Sequence, residues 1–235
     1  MGAARMNLSD VDLSPIIDHW TDLAEGFRLT IELGSSALLL AALIGAAATA
    51  ARLSGRKFLA FSVSLYVEAM RGTPSLVLIL ACYYLLPATG LQLDAVESGV
   101  AALALYYGAY FAEAIRGALA TVSGGQREAG STIGLSPGTI FRRIVLPQAL
   151  GPMLPPMTGL TIGLFKETAL LSTISVHEFV FAGKEAISDS YAPFEIYAVV
   201  ALCYWGLSVL IGAVAQRWER RAIAYRSPRR PEARA

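Results

Sequence analysis

The sequence predicts an all-α membrane protein with five transmembrane helices. Of its 235 residues, 55% are hydrophobic and only 16% are charged, whereas soluble domains carry about a quarter charged residues. The mean hydropathy of +0.53 agrees with this class. Several apolar runs reach the roughly 20 residues that a helix needs to cross about 30 Å of hydrocarbon. This composition excludes a disordered chain and argues against a water-soluble enzyme.

Five apolar runs are the candidate spans in chain order. They cover about residues 29–51, 58–87, 98–122, 151–174 and 194–218. Four of them are of ordinary length, but the second is too long for one straight crossing. It contains Pro74, which should kink a helix, and Thr73, which is biased away from helical angles by the proline after it. We therefore expect an interfacial or tilted first part and a spanning second part.

Basic residues predict the orientation and the domain organisation. Fourteen of the 19 Lys and Arg residues fall in the first connection, the third connection and the C-terminal tail, while the outer connections are mainly acidic. Because cytoplasmic segments collect Lys and Arg, we expect the N-terminus outside and the C-terminus in the cytoplasm. The chain then divides into an extracytoplasmic segment (1–26), a membrane domain (27–222) and a basic tail (223–235). The tail either binds anionic lipid headgroups or is a solvated end.

The third connection, residues 123–150, is a long cytoplasmic loop with a helical pattern. Residues 126–133 predict a short helix that ends at Gly134, since glycine is favoured just past a helix end. Ser136 is the expected N-cap of a second short helix, with Pro137 at its first position. Pro147 should end this second helix.

An apolar stripe runs along the second short helix. Its members are Ile140, Phe141, Ile144 and Val145, with Arg142 and Arg143 on the remaining surface. Two interpretations are open. The stripe rests on the bilayer or on the chain's own spans, or it docks into a cytoplasmic partner.

The loop resembles the EAA loop of ABC importer permeases. Glu128-Ala129-Gly130, three residues, Gly134, nine residues and Ile144-Val145-Leu146-Pro147 match the spacing of that motif. Gly130 departs from it by replacing the second alanine. Such a glycine would loosen a helix by up to about 1 kcal/mol.

Further segments are similar to the polar amino-acid uptake subfamily of these permeases. They are Arg71-Gly72-Thr73-Pro74, Ala109-Tyr110-Phe111-Ala112-Glu113 with Arg116-Gly117, Leu146-Pro147-Gln148-Ala149 and Lys166-Glu167-Thr168-Ala169-Leu170. In the last segment, Glu167 and Ala169 depart from the more usual Lys-Asp-Thr-Ser-Leu. The resemblance covers about residues 25–222.

This resemblance implies a type I ABC importer permease fold with a cytoplasmic coupling-helix loop, in the bacterial inner membrane. The implied partners are two ATPase subunits, a second permease subunit that is the same or homologous, and an extracytoplasmic solute-binding protein. The residues implied in ATPase coupling are Glu128, Ala129, Gly134, Ser136, Ile140, Phe141, Ile144, Leu146 and Pro147. The chain has no phosphate-binding Gly-x-x-x-x-Gly-Lys-Ser/Thr loop, so we expect it to bind no cofactor and ATP to be used by the partner.

Charges within the spans are the candidate substrate contacts, because a charge at bilayer depth is costly and usually faces a cavity or a partner. Glu167 should lie near the middle of the membrane, and Glu113 nearer the cytoplasm. With Lys166 and Tyr110 they form the hypothetical substrate pathway. The alternative is structural: Glu113 would pair with Arg116, Glu68 would pair with Arg71, and the tyrosines would serve packing.

Other functions have less support. A membrane-embedded enzyme would need a catalytic arrangement, but His19 and His177 are the only histidines and form no His-Glu-x-x-His motif. A channel would need a filter-like carbonyl loop, which is not apparent. We expect no catalytic or metal site and no nucleic-acid partner. A subunit that does not itself contact substrate, in a heterodimeric importer, stays an alternative.

Overall fold

A computed structural model of the chain describes residues 12–224, with side chains to residue 220, and these residues form helices and no β-strand. The first eleven residues of the predicted N-terminal segment and residues 225–235 of the predicted tail lie outside this range. The α-helices are α1 (Ser14–Asp18), α2 (Trp20–Leu53), α3 (Lys57–Gly72), α4 (Ser75–Tyr84), α5 (Ala95–Ala120), α6 (Gly124–Thr132), α7 (Pro137–Ile140), α8 (Leu146–Glu167), α9 (Phe179–Ser190) and α10 (Pro193–Ala224).

Five helical units correspond to the five predicted spans, which confirms the fold class. They are α2, the α3–α4 pair, α5, α8 with the 3₁₀ segment Thr168–Ile174, and α10. By length and apolarity alone, α2 and α10 qualify as spans, and the α3–α4 pair is a third if its bent halves are one span. The other two units are α5, which contains Glu113, and α8, which contains Glu167 and several prolines. Both lie against other helices, so their side chains need not all be apolar.

The α2–α5 contact is the most extensive helix packing among the described residues, and glycines lie at it. A Cβ on Gly45 would lie 2.6 Å from the Cβ of Phe111 and 3.0 Å from the backbone nitrogen of Ala112. A Cβ on Gly108 would lie 2.6 Å from a side-chain carbon of Ile44. The absence of these side chains lets the two backbones approach, and α5 therefore becomes the centre of the main core.

The second span is bent by 105° between α3 and α4, which confirms the predicted kink at Pro74. Thr73 has extended backbone angles (φ −108°, ψ 135°), as expected before a proline. The predicted pairing of Glu68 with Arg71 is not formed. The Arg71 guanidinium lies instead over the ring of Tyr110, 5.7 Å from its centroid.

Glu178 is a buried carboxylate that the sequence suggested only as one more charge of an acidic outer connection. It caps α9, accepting hydrogen bonds from the backbone N–H groups of Val180 and Phe181 at 3.0 Å each. The hydroxyls of Thr30 and Tyr204 donate to it at 3.5 and 3.1 Å. Burial raises the pKa of the Glu178 carboxyl, although these four donors oppose the shift. The cluster joins α2, α9 and α10.

The α2–α5 packing makes a testable prediction. Gly45→Ala should destabilise the chain by about 1–3 kcal/mol, the usual range for overpacking a tight core, because part of the clash is with backbone. Gly206→Ala in α10 is the matched control, since nothing lies within 4 Å of its Cβ position. Thermal unfolding in detergent measures both. Equal melting temperatures for Gly45→Ala and wild type would contradict the proposed close approach.

Candidate substrate pathway and coupling loop

Glu167 ends α8 at the point where the backbone continues as 3₁₀ helix. Its Oε2 atom is buried and has no hydrogen-bond partner among the described residues. The hydroxyls of Ser75, in the first turn of α4, and of Tyr107 are its polar neighbours. Gly163 leaves room for Tyr107, because a Cβ added to Gly163 would lie only 2.9 Å from the Tyr107 hydroxyl oxygen. The carboxylate thus lies beside the bend of the second span.

Tyrosines of α5 continue from this carboxylate toward Arg71. The hydroxyls of Tyr106 and Tyr110 lie 3.3 Å apart, and their ring centroids are 5.0 Å apart. Because Arg71 lies over Tyr110, three of the four segments that resemble the amino-acid subfamily meet at one place. A carboxylate oxygen without a partner, several hydroxyls and a guanidinium therefore lie close together.

Lys166 differs from its neighbour Glu167. It is exposed, and it forms no ion pair with any residue between positions 12 and 220. Adjacent residues of an α-helix point about 100° apart. Its predicted contact with substrate stays a prediction.

Glu113 lies between two arginines. Arg52 of α2 donates to its Oε1 at 2.6 Å, and Arg116 donates to its Oε2 from two nitrogens at 2.8 and 3.0 Å. The structural pairing of Glu113 with Arg116 is therefore formed, and Arg52 was not foreseen. The only signal in the sequence was that Arg52 and Glu113 should both lie toward the cytoplasmic ends of their spans. The cluster ties those ends of α2 and α5 together.

The first part of the coupling loop has the predicted turn. Gly134 has a φ of +78°, and its N–H donates to the Ser131 carbonyl at 3.0 Å, while Leu135 N–H donates to the Gly130 carbonyl at 3.1 Å. These are the two bonds of a Schellman motif, which needs a left-handed residue at the Gly134 position. Ser136 caps α7, with its hydroxyl accepting from the Thr139 N–H at 3.4 Å. Exposed Glu128 and Ala129 lie on α6.

The apolar stripe of the loop fits neither interpretation as a whole: some of its residues pack on the chain's own helices, and one stays exposed. Ile140 and Val145 are buried, and with half-buried Ile144 they pack on the chain's own helices. Phe141 faces outward. The packing accounts for a glycine at position 130, because a Cβ there would lie only 3.0 Å from a side-chain carbon of Ile140 and 3.2 Å from one of Ile144. The departure from the EAA pattern thus allows α6 to approach α7.

The prediction that Pro147 ends the second short helix is wrong. α7 is followed without a break by a π-helical turn, Phe141–Val145, and then by α8, which has Pro147 in its first turn. A proline lacks the N–H that an α-helix needs, and the wider π turn accommodates it. Half-buried Leu146 lies next to it, and the Gln148 side chain donates to the Ile144 carbonyl at 2.9 Å. The helix from Pro137 to Glu167 follows a path of about 45 Å.

Comparison with known proteins agrees with this architecture. Residues 39–224 match the family model described as a binding-protein-dependent transport system inner membrane component. The chain belongs to this family. It is 35% identical over 207 residues to the L-cystine transport system permease protein TcyB of Bacillus subtilis, with 88% of each chain covered. It is 33% identical to the glutamine transport system permease protein GlnP of Escherichia coli, covering 85% of this chain and 92% of that one.

Solved structures show the same fold. The chain in a crystal structure of an amino acid ABC transporter with histidines superposes with a TM-score of 0.83 at 30% identity, covering 90% of this chain and 99% of that one. An inward-facing structure of the MetNI methionine ABC transporter gives a TM-score of 0.63 at 20% identity, covering 92% and 99%. The latter likeness concerns the fold alone.

Membership of the family establishes the class of function. The chain is an integral inner-membrane permease subunit of an ABC importer, and it acts in transport rather than as an enzyme. ATP hydrolysis belongs to a separate ATPase subunit, and permeases of this family work with ATPase and binding-protein partners.

The Glu113 cluster generates a prediction. A double-mutant cycle with Arg52→Ala and Glu113→Ala should give a coupling energy of about 1–2 kcal/mol, because contacting charges in a partly buried network are not additive. The exposed Arg28–Glu32 pair, at 3.7 Å on one face of α2, is the control and should show no measurable coupling. Unfolding in detergent measures both cycles. Additive effects at Arg52 and Glu113 would show that the two helices are not joined there.

Proposed function

We propose that this permease passes a polar amino acid or an amino-acid derivative into the cytoplasm, and that Glu167 receives its ammonium or guanidinium group. The observation that carries the proposal is the buried, unpartnered carboxylate oxygen of Glu167. Relatives that are permease proteins of L-cystine and glutamine transport systems support the substrate class. The likeness to the crystal structure of an amino acid ABC transporter supports the same substrate class.

The contrast among the three carboxylates supports this assignment. Glu113 is satisfied by two arginines, and Glu178 by four donors of the chain. Glu167 keeps an oxygen without a donor, and leaving a buried charge unpaired is costly. A cationic group of a passing solute would supply the missing donor. Arg71, beyond the tyrosines, would suit the carboxylate of the same solute.

The complex that we propose has two ATPase subunits and a second permease subunit, either a copy of this chain or a homologue. The N-terminus lies outside and the C-terminus in the cytoplasm, because the basic residues concentrate in the loops and tail on one side. This chain binds no nucleotide, and ATP acts on it through the loop at 123–150. The coupling residues of that loop are the exposed members of the EAA-like segment, including Glu128 and Ser136, with buried Ile140 holding the loop in place.

Replacement of Glu167 by glutamine tests the proposal. Glu167→Gln removes the charge but keeps the shape, so uptake should fall by tenfold or more, as expected from the loss of one charge-assisted hydrogen bond of about 1.5–3 kcal/mol. The assay is uptake into proteoliposomes with the cognate binding protein and ATPase. The substrate is the amino acid that most raises the melting temperature of that binding protein.

Assembly provides the control for this experiment. The Glu167→Gln complex should retain its ATPase subunits and its basal ATP hydrolysis, and Glu32→Gln, a change to an exposed carboxylate of α2, should leave uptake unaltered. Unchanged substrate affinity and uptake in Glu167→Gln would exclude recognition by this residue. That result would favour a subunit that does not contact substrate in a heterodimeric importer.

A further inference from the structure

An apolar groove lies along one face of α8, between that helix and α10. Its volume is about 470 Å³, within the roughly 300–1,000 Å³ that is usual for ligand sites. We call it the α8–α10 groove, and its lining includes Leu154, Thr158, Thr161 and Phe165 of α8 with Ala215 and Trp218 of α10. Neither Glu167 nor the coupling loop contributes to its lining. The groove is therefore separate from the candidate substrate pathway.

Hydrocarbon suits this groove better than a polar solute does. Its two hydroxyl groups are already used, because Thr158 donates to the Leu154 carbonyl and Thr161 to the Met157 carbonyl, at 2.9 Å each. The other lining residues are aliphatic, thioether or aromatic. A polar amino acid would lose hydrogen bonds with water here without replacement, whereas an acyl chain has none to lose.

The groove faces away from the candidate substrate pathway. Adjacent residues of an α-helix point about 100° apart, so Phe165 and Glu167 point about 200° apart on α8. The same angle separates Thr161 from Gly163, which lies against Tyr107. A second permease subunit that completes the pathway beside Glu167 therefore leaves this side of α8 and α10 to the lipid.

The length of the groove matches one acyl chain. From Leu154 to Phe165, α8 rises by about 16 Å at about 1.5 Å per residue. Half of a hydrocarbon core of about 30 Å is about 15 Å, the depth of one leaflet. Because α8 begins at the coupling loop and α10 ends at the basic tail, the groove extends from the cytoplasmic side toward the middle of the membrane in the proposed orientation.

The cytoplasmic end of the groove has the residues of a membrane interface. Trp218 is 62% exposed there, and tryptophan is enriched at the level of the headgroups. Arg217 and Arg220 lie beside it, are exposed, and form no ion pair with any residue that the structure describes. From position 217 onward the chain has seven arginines and two acids. A positive charge at the end of an apolar groove complements an anionic lipid headgroup above its acyl chain.

We propose that the α8–α10 groove binds one anionic phospholipid of the cytoplasmic leaflet. One acyl chain lies along Thr158, Thr161 and Phe165, and the phosphate pairs with Arg217 and Arg220. The proposal goes beyond the proposed function, from which it takes only the orientation of the chain and the place of the second permease subunit. A lipid bound here fills the space between α10 and the helix that carries the candidate substrate contact.

Tryptophan fluorescence in bilayers tests the proposal. Trp20→Phe with Trp205→Phe leaves Trp218 as the only tryptophan of the full chain, which is reconstituted in phosphatidylcholine. A minor share of the lipid, either phosphatidylglycerol or phosphatidylcholine, carries bromine on its acyl chains and quenches a tryptophan that it contacts. Brominated phosphatidylglycerol should associate with Trp218 about fivefold more strongly, the factor that corresponds to about 1 kcal/mol for one net basic charge at the surface.

Two changes separate the headgroup from the acyl chain. Arg217→Gln with Arg220→Gln should remove the preference for phosphatidylglycerol, and high salt should weaken it in the parent chain. Ala215→Phe fills the groove and should also remove the preference, although both arginines remain. Ala213→Phe is the matched control, because it lies at an exposed position of α10 outside the groove and should keep the preference.

Trp205 provides a second control. It is 67% exposed on α10 and does not line the groove, so a chain with Trp205 alone should be quenched equally by both lipids. Equal quenching of Trp218 by the two lipids, or a preference that survives Ala215→Phe, would overturn the proposal. Protection of Trp218 from both lipids, with Trp205 still quenched, would assign the groove to a second copy of the chain and overturn it as well. None of these results affects the proposed function, which is tested by uptake.

Discussion

The continuous helix from Pro137 to Glu167 is the constraint on which the transport account depends. Its first turn belongs to the coupling loop, and its last residue is the carboxylate beside the bend of the second span. Had Pro147 ended the helix, the loop and Glu167 would be linked only through flexible backbone. Because the π turn carries the helix past the proline, we infer that a displacement imposed on the loop reaches Glu167 within one element. Such coupling needs a two-state element that both sites bias, and this helix is the candidate.

Tight packing among α2, α5, α9 and α10 forms a fixed part of the fold, relative to which this helix can be displaced. The glycines of α2 and α5 bring two backbones together, and the Arg52–Glu113–Arg116 cluster joins the C-terminal parts of these two helices. Glu178 joins α2, α9 and α10. Each of these contacts is satisfied within the chain. Among the described residues, the buried side-chain oxygens without a hydrogen-bond partner are the Ser98 hydroxyl and Glu167 Oε2, and of the two only Glu167 carries a charge.

Local rules predicted the features that depend on neighbouring residues. Pro74 bends its span, Gly134 takes a left-handed conformation, and Ser136 caps α7, since each outcome follows from the chemistry of one residue and its immediate neighbours. Periodicity could not separate buried Ile140 from exposed Phe141, because adjacent positions of a broad stripe differ by about 100°. The Pro147 prediction failed because it assumed α-helical geometry on both sides. Arg52 and Thr30 meet their carboxylate partners across 61 and 148 positions of sequence, and at that range the sequence indicated only that Arg52 and Glu113 should lie toward the same ends of their spans, not that they pair.

Distance measurements between spin labels on the assembled complex test the central claim most directly. Gly138, Gly159 and Gly72 have nothing within 4 Å of their Cβ positions, so cysteine-linked labels fit there in a background without Cys82 and Cys203. On ATP binding, the distance between Gly138 and Gly159 should stay constant, while that between Gly159 and Gly72 should change by several ångströms. A changed distance between Gly138 and Gly159, with the distance from Gly159 to Gly72 unaltered, would show that the helix bends between the two labels, at its π turn or at Pro152, Pro155 and Pro156, and would contradict the account.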